Sequence, residues 1–177
     1  IKAKIVYHAH NVEYLLRMKK DNPAIAKISF IFERIILKKA DLVFSVSETD
    51  SGEFSDLYGV RPFVLKNSVD TDKFGNLQDG YLRNLKDRYG LYGKTLLFSG
   101  LLDFKPNKEG LDFLFERVMP MLTEKNNAVK LVVIGGIVKR RFPWLINPGI
   151  IPFTDVPYVI KACDLCLAPI FSGSGVR

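Results

Sequence analysis

Short runs of β-branched and aliphatic residues recur at positions 3–7, 42–46, 62–65, 95–98, 130–134, 149–152 and 165–168. Runs of this length bounded by polar or turn residues predict strands. Most are separated by longer stretches with apolar residues at helical spacing. The clearest comprises Leu111, Leu114, Phe115, Val118, Met119 and Leu122, at offsets of three, four, seven, eight and eleven, which gives one apolar face. Pro120 lacks an amide hydrogen and is expected to bend or end that helix near its last turn. Over 24–39, Ile25, Ile28, Phe30, Ile31, Phe32, Ile35, Ile36 and Leu37 place apolar side chains on most sides, which predicts a helix buried between other elements. Strands alternating with such helices form βαβ units, so the expected class is α/β, with parallel sheets covered by helices.

The alternation breaks once, at 67–80 (NSVDTDKFGNLQDG), which is polar, turn-rich and without either periodicity. A boundary is expected there, dividing the chain into 1–74 and 75–177. Both units are expected to be incomplete. The chain opens on what reads as an inner strand and closes on a glycine-rich turn, SGSGVR, of the kind that precedes a helix.

Composition narrows the classes. With 177 residues, 47% hydrophobic and 25% charged, the chain has the apolar content for a sizeable core, which excludes disorder as its main state. Lys and Arg number 26 against 19 Asp and Glu, a net +7 that favours an anionic partner: phosphate, an anionic membrane surface or nucleic acid. The longest apolar run, 131–138, contains two glycines and is far short of the ~20 residues of a membrane span. Two cysteines cannot staple a domain of this size and suit free thiols in a reducing compartment, so a cytoplasmic location, or the inner face of the membrane, is expected.

Several constellations could carry chemistry. Gly173 and Gly175 would let backbone amides approach a phosphate, although a lone GxG also reads as a plain turn. Cys163 and Cys166 form a CxxC, but a zinc site needs about four ligands and both histidines lie in the other half of the chain, so small buried hydrophobes are expected and no metal. Asp70 and Asp72 read the same way, as polar loop residues. His8 and His10 fall at the end of the first strand, where parallel sheets build ligand crevices. Lys139, Arg140 and Arg141 read as a solvated helix face, and no RNA-binding signature or helix-turn-helix spacing accompanies them, so nucleic acid is not an expected partner.

Seven segments in order, HAHNVEY (8–14), ADLVFSVSETD (40–50), NSVDTDKF (67–74), LLFSGLLDFKPNKEGLDFLFERVMPML (96–122), KLVVIGG (130–136), IIPFTDVPYVIKACDLCLAP (150–169) and GSGVR (173–177), resemble family four glycosyltransferases of the GT-B fold. The resemblance implies two Rossmann-like domains facing a cleft, an acceptor-binding N-terminal one and a C-terminal one that holds a nucleotide sugar. It implies transfer of a sugar, with retention, to a hydroxyl of a saccharide or lipid-linked acceptor, with peripheral membrane contact and without a metal or other cofactor. On this pattern His10 lies near the transferred sugar. Gly100, Lys105 and Gly135 lie near the diphosphate, Phe153 and Thr154 near the base, and Gly173, Ser174 and Gly175 beneath sugar and diphosphate. Leu101 and Asn107 stand where many members have Arg and Lys, leaving Lys105 or Lys108 to supply charge. Ser174 stands where the first of the family's paired glutamates falls. The fragment alone is expected to be inactive. A nucleotide-sugar epimerase of similar fold and a non-catalytic nucleotide-binding module are the competing readings.

Overall fold

The computed structural model describes residues 3–20 and 22–171, and of Lys20 only the backbone. The chain divides into two compact units between Val69 and Asp70, inside the polar stretch that interrupts the alternation.

In the first unit, β1 (Val6–Ala9), β2 (Leu42–Ser45) and β3 (Phe63–Val64) form a parallel sheet in the order β1-β2-β3. Helices α1 (Glu13–Lys20) and α2 (Pro23–Lys39) connect the first two strands, and α3 (Glu48–Tyr58) leads to the third. Local chemistry fixes the helix ends. Asn22 Oδ1 accepts from the Ala24 amide at 2.9 Å with proline in the first turn of α2, and Ser47 Oγ accepts from the Asp50 amide at 3.0 Å. Gly59, at φ 69°, closes α3 in the left-handed conformation that glycine adopts without a Cβ penalty. The core gathers Ala9, Val12, Leu37, Val43 and Phe54.

Helix α2 departs from expectation. Its buried positions are Ala26, Glu33 and Leu37, while Ile25, Ile28, Ile31, Phe32, Ile35 and Ile36 are exposed. Its apolar residues run almost all round, so periodicity could not reveal that the inward face is organised around a carboxylate. Glu33, 3% exposed, accepts from the amides of Glu13 (2.8 Å) and Tyr14 (3.0 Å) and from the Tyr58 hydroxyl (2.6 Å). It thereby caps the first turn of α1 from a neighbouring helix, where a negative charge meets the positive end of the helix dipole.

The second unit contains α4 (Asp72–Gly75), α5 (Asp79–Tyr89), β4 (Lys94–Ser99), α6 (Lys105–Phe113), α7 (Met119–Lys125), β5 (Val129–Ile134), β6 (Leu145–Gly149), α8 (Val156–Ala162) and β7 (Leu165–Leu167). Its sheet is parallel throughout, in the order β6-β5-β4-β7. Strand alternation feeds two cores. Leu97, Val132 and Ile134 pack with Leu85, Leu91, Val159 and Ala162. Phe98, Leu131 and Val133 pack with Leu111, Leu114, Phe115 and Met119. Two carboxylates lock this unit. Asp155, buried, accepts from Tyr81 (2.6 Å) and Tyr89 (3.2 Å), and Asp164 accepts from the Thr95 amide (2.7 Å).

Three local expectations are corrected. The third strand of this sheet is Leu145–Gly149 rather than 149–152: Pro148 is tolerated because β6 is an edge strand, and Gly149, at φ 80°, ends it. Pro120 does not stop its helix, because a π-turn at Leu114–Val118 lies between α6 and α7 and places the proline in the first turn of α7. Lys139, Arg140 and Arg141 lie on an irregular segment instead of a helix; Arg140 is 3.5 Å from both Asp112 and Glu116, with its guanidinium over the Phe115 ring. Among the described residues, no helix is long and apolar enough to cross a membrane.

Candidate functional site

In an open parallel sheet the carboxyl ends of the strands form a crevice where the strand order reverses, because the flanking connections leave in opposite directions. The chain of the second unit runs from β4 to β5 to β6 on one side, then crosses to β7 on the other side of β4. The reversal therefore lies between β4 and β7.

Gly100 follows β4 and Gly135 follows β5, and the structure brings them together. The Gly100 amide donates to the Ile134 carbonyl at 3.2 Å, and the Gly135 amide donates to the Gly149 carbonyl at 3.0 Å. Gly135 has φ +101°, and its Cα faces the Gly100 carbonyl so closely that a Cβ would collide with it. A Cβ on Gly100 would come within 2.7 Å of the Asn107 amide nitrogen. That nitrogen donates to the Leu101 carbonyl at 3.0 Å, tying the loop after β4 to the first turn of α6. Where the resemblance led one to look for a lysine, Asn107 therefore serves as a loop clamp.

Helix α6 begins at Lys105 without a side-chain cap, and Pro106 stands in its first turn. An uncapped N-terminus at the carboxyl edge of a parallel sheet suits an anion, since free amides and the helix dipole both favour negative charge. Gly110 sets its position: a Cβ there would collide with the Pro169 carbonyl just beyond β7, so α6 rests directly on the chain leaving that strand. Lys105 is 84% exposed and extends along α6, its ammonium 3.7 Å from Glu109. Asn147 secures the neighbouring loop, its amide donating to the carbonyls of Val133 (2.7 Å) and Gly136 (3.0 Å) while its carbonyl accepts from the Val138 amide (2.8 Å).

Phe153 and Thr154 occupy the turn between β6 and α8. With Asp72, Asn76, Leu77 and Tyr158 they line an open groove of about 410 Å3 against α4. Phe153 is 80% exposed, a free aromatic face. Gly173, Ser174 and Gly175 lie outside the described residues.

In the first unit His10 follows β1, exposed, its ring centroid 4.7 Å from that of His8, which meets Phe44 edge-on. The next residue, Asn11, has a buried side-chain oxygen without a hydrogen-bond partner. Glu33 holds the helix that begins just beyond this turn.

Both cysteines are free. Cys163 is half-buried, and burial pushes its thiol up to about 11, while Cys166 is exposed on β7 rather than buried as expected. Among the described residues, no group of three or more His, Cys, Asp or Glu is placed to hold a metal ion.

Glu33, Gly110, Asn147 and Asp155 escaped sequence reading. Each acts through partners distant in sequence, and only Asn22 and Ser47, which cap their own helices, carried a local signal.

No protein-family model and no curated protein matches the chain. Solved structures do. HepE from Anabaena in complex with UDP and glucose shares 16% identity at a TM-score of 0.63, covering 92% of this chain and 45% of that one. HepE in complex with UDP gives 15% identity and 0.66, covering 96% and 47%. Sucrose-phosphate synthase from Thermosynechococcus elongatus gives 14% identity and 0.66, covering 96% and 45%. The chain thus spans under half the length of these solved proteins, and at this identity what it shares with them is architecture: the parallel-sheet, Rossmann-like units of the GT-B fold.

Proposed function

We propose that the chain is part of a retaining glycosyltransferase of family four that moves a sugar from a nucleotide diphosphate donor to a hydroxyl of a saccharide or lipid-linked acceptor. The observation that carries this reading is the paired Gly100 and Gly135 backbone at the strand-order reversal, beside the uncapped start of α6. Support comes from the fold, shared with HepE, which was solved with UDP and glucose.

In this proposal residues 75–177 belong to the donor domain and 1–74 to the acceptor domain. The diphosphate lies against the α6 N-terminus. Lys105 or Lys108 adds positive charge, Phe153 and Thr154 meet the base, and Gly173, Ser174 and Gly175 lie beneath sugar and diphosphate. The bond between the anomeric carbon and the diphosphate oxygen breaks, that oxygen takes the acceptor proton, and the acceptor oxygen bonds the same face of the sugar. Charge developing on the departing diphosphate is stabilised by fixed dipoles and side-chain cations, without a step assigned to a metal. His10 positions the sugar.

The test incubates the full-length protein with a panel of nucleotide sugars and candidate acceptors, following free nucleotide diphosphate and, by NMR, the anomeric configuration of the product. Release coupled to a product of retained configuration supports the reading. An inverted product contradicts retention, and binding without turnover favours a non-catalytic nucleotide-binding module, a reading to which the engagement of Asn107 in its own loop lends weight.

A further inference from the structure

A helix packed on a water-soluble unit turns its large apolar residues inward. Helix α2 does the reverse. Ile25, Ile28, Ile31, Phe32, Ile35 and Ile36 are each between 39% and 61% exposed, while the buried side holds Ala26, Glu33 and Leu37. At 100° per residue the six fall within one continuous arc opposite the buried side. Along one edge of that arc run Lys27, Arg34 and Lys38, all exposed, and Lys39 closes its C-terminal end. The one acid of the helix is Glu33, turned inward and engaged by three donors. Beyond the last turn, Lys38 and Lys39 join Lys4 and Ile5 around an open cavity of about 500 Å3. Its single carboxylate, Asp41, is 3.1 Å from Lys4.

We propose that α2 docks the protein on an anionic lipid surface. The isoleucines and Phe32 enter the boundary between headgroups and acyl chains, and the cations along the edge and at the C-terminal end meet lipid phosphates. An apolar arc edged by Lys and Arg is the pattern of a helix lying in the membrane plane. The long lysine side chains let the ammonium groups reach phosphate while their stems stay in apolar surroundings. Charge argues against a second copy of the chain as occupant: an isologous contact would bring Lys27, Arg34, Lys38 and Lys39 against the same residues, with no acid on the face to receive them. The inference stands on α2 alone and is independent of the sugar-transfer reading.

The test is co-sedimentation of the full-length protein with vesicles of phosphatidylcholine containing phosphatidylglycerol, against phosphatidylcholine alone. Binding is expected to the anionic vesicles and to weaken at high salt. Ile28→Ser with Phe32→Ser should reduce it by roughly tenfold or more, since two exposed apolar anchors are lost. Lys38→Gln with Lys39→Gln should reduce it about tenfold on anionic vesicles and leave binding to neutral ones unchanged. The substituted positions are exposed, so an unchanged urea midpoint shows that a variant is folded. Absence of vesicle binding by the parent protein, or full binding by the Ser variant, overturns the proposal. It is equally overturned if the parent is a dimer that the Ser variant dissociates, or if a cysteine placed at Ile28 is shielded from labelling in lipid-free protein, since another occupant then covers the face.

Discussion

The buried carboxylate of Glu33 offers a quantitative test of how the first unit is held. It receives two backbone amides and one hydroxyl at 2.6 to 3.0 Å, at the positive end of α1. Hydrogen bonds to a charged group contribute about 1.5–3 kcal/mol each, against about 0.5–1.5 for neutral ones. Glu33→Gln keeps the shape but turns one acceptor oxygen into a donor. Placed at Oε1, the new NH2 faces the Glu13 amide, so that bond is lost and two donors are opposed. The bonds from Tyr14 and Tyr58 survive as neutral ones. Part of this loss is offset because a charge is no longer desolvated. The net expectation is a loss of about 2–4 kcal/mol, a large share of the ~5–15 kcal/mol by which domains are stable. Tyr58→Phe removes one bond and should cost less. The assay is urea unfolding of the parent, both single variants and the double variant. Burial together with the Glu33 carboxylate raises the Tyr58 hydroxyl, so it stays a donor throughout the usable pH range. The two substitutions should therefore couple strongly. A Glu33→Gln change below about 0.5 kcal/mol, or strict additivity with Tyr58→Phe, would refute the capping role.

Further outcomes follow from the second unit. Cys166 should react with a maleimide at pH 8 while Cys163 stays protected in the folded protein, because Cys163 is half-buried with its thiol raised to about 11; equal labelling would contradict that environment. The Thr95 amide holds the Asp164 carboxyl below its ordinary value, so its stabilisation is present above the unfolded carboxylate range near ~4 and lost as pH falls through the folded value. The gap in urea midpoint between the parent and Asp164→Asn should accordingly be constant at neutral pH and shrink in acid, and a gap that widens in acid would reverse the sign. In the full-length protein, Lys105→Ala should weaken nucleoside diphosphate binding by about 1.5–3 kcal/mol with little effect on the free nucleoside, as read by titration calorimetry. Equal loss for both would move the charge contact to Lys108.

The α/β class was legible because β4 and β5 are apolar on both faces and are separated by a helix with one clean stripe. Positions were less legible where an element breaks its own pattern. Ile150 and Ile151 read as strand, but Asn147 and Pro148 disguise the real one, which tolerates them at the sheet edge. In α2 the apolar residues gave no direction, and the inward face is set by partners in α1 and α3. Gly100 and Gly135 were legible as glycines at strand ends. Gly110 was not, because the Pro169 carbonyl that forbids a side chain there is far along the chain. The assignments of His10, Lys105, Phe153 and Thr154 come from the order of motifs, since an exposed histidine or lysine has no local pattern that marks it.

The central claim, that a nucleotide diphosphate is held at the carboxyl end of the second sheet, is tested most directly by a crystal structure of the full-length protein with a bound nucleoside diphosphate. The account predicts the diphosphate at the start of α6, its oxygens within hydrogen-bond reach of backbone amides in the Gly100 to Lys105 loop. A diphosphate bound away from α6 and from the glycines after β4 and β5 would contradict it.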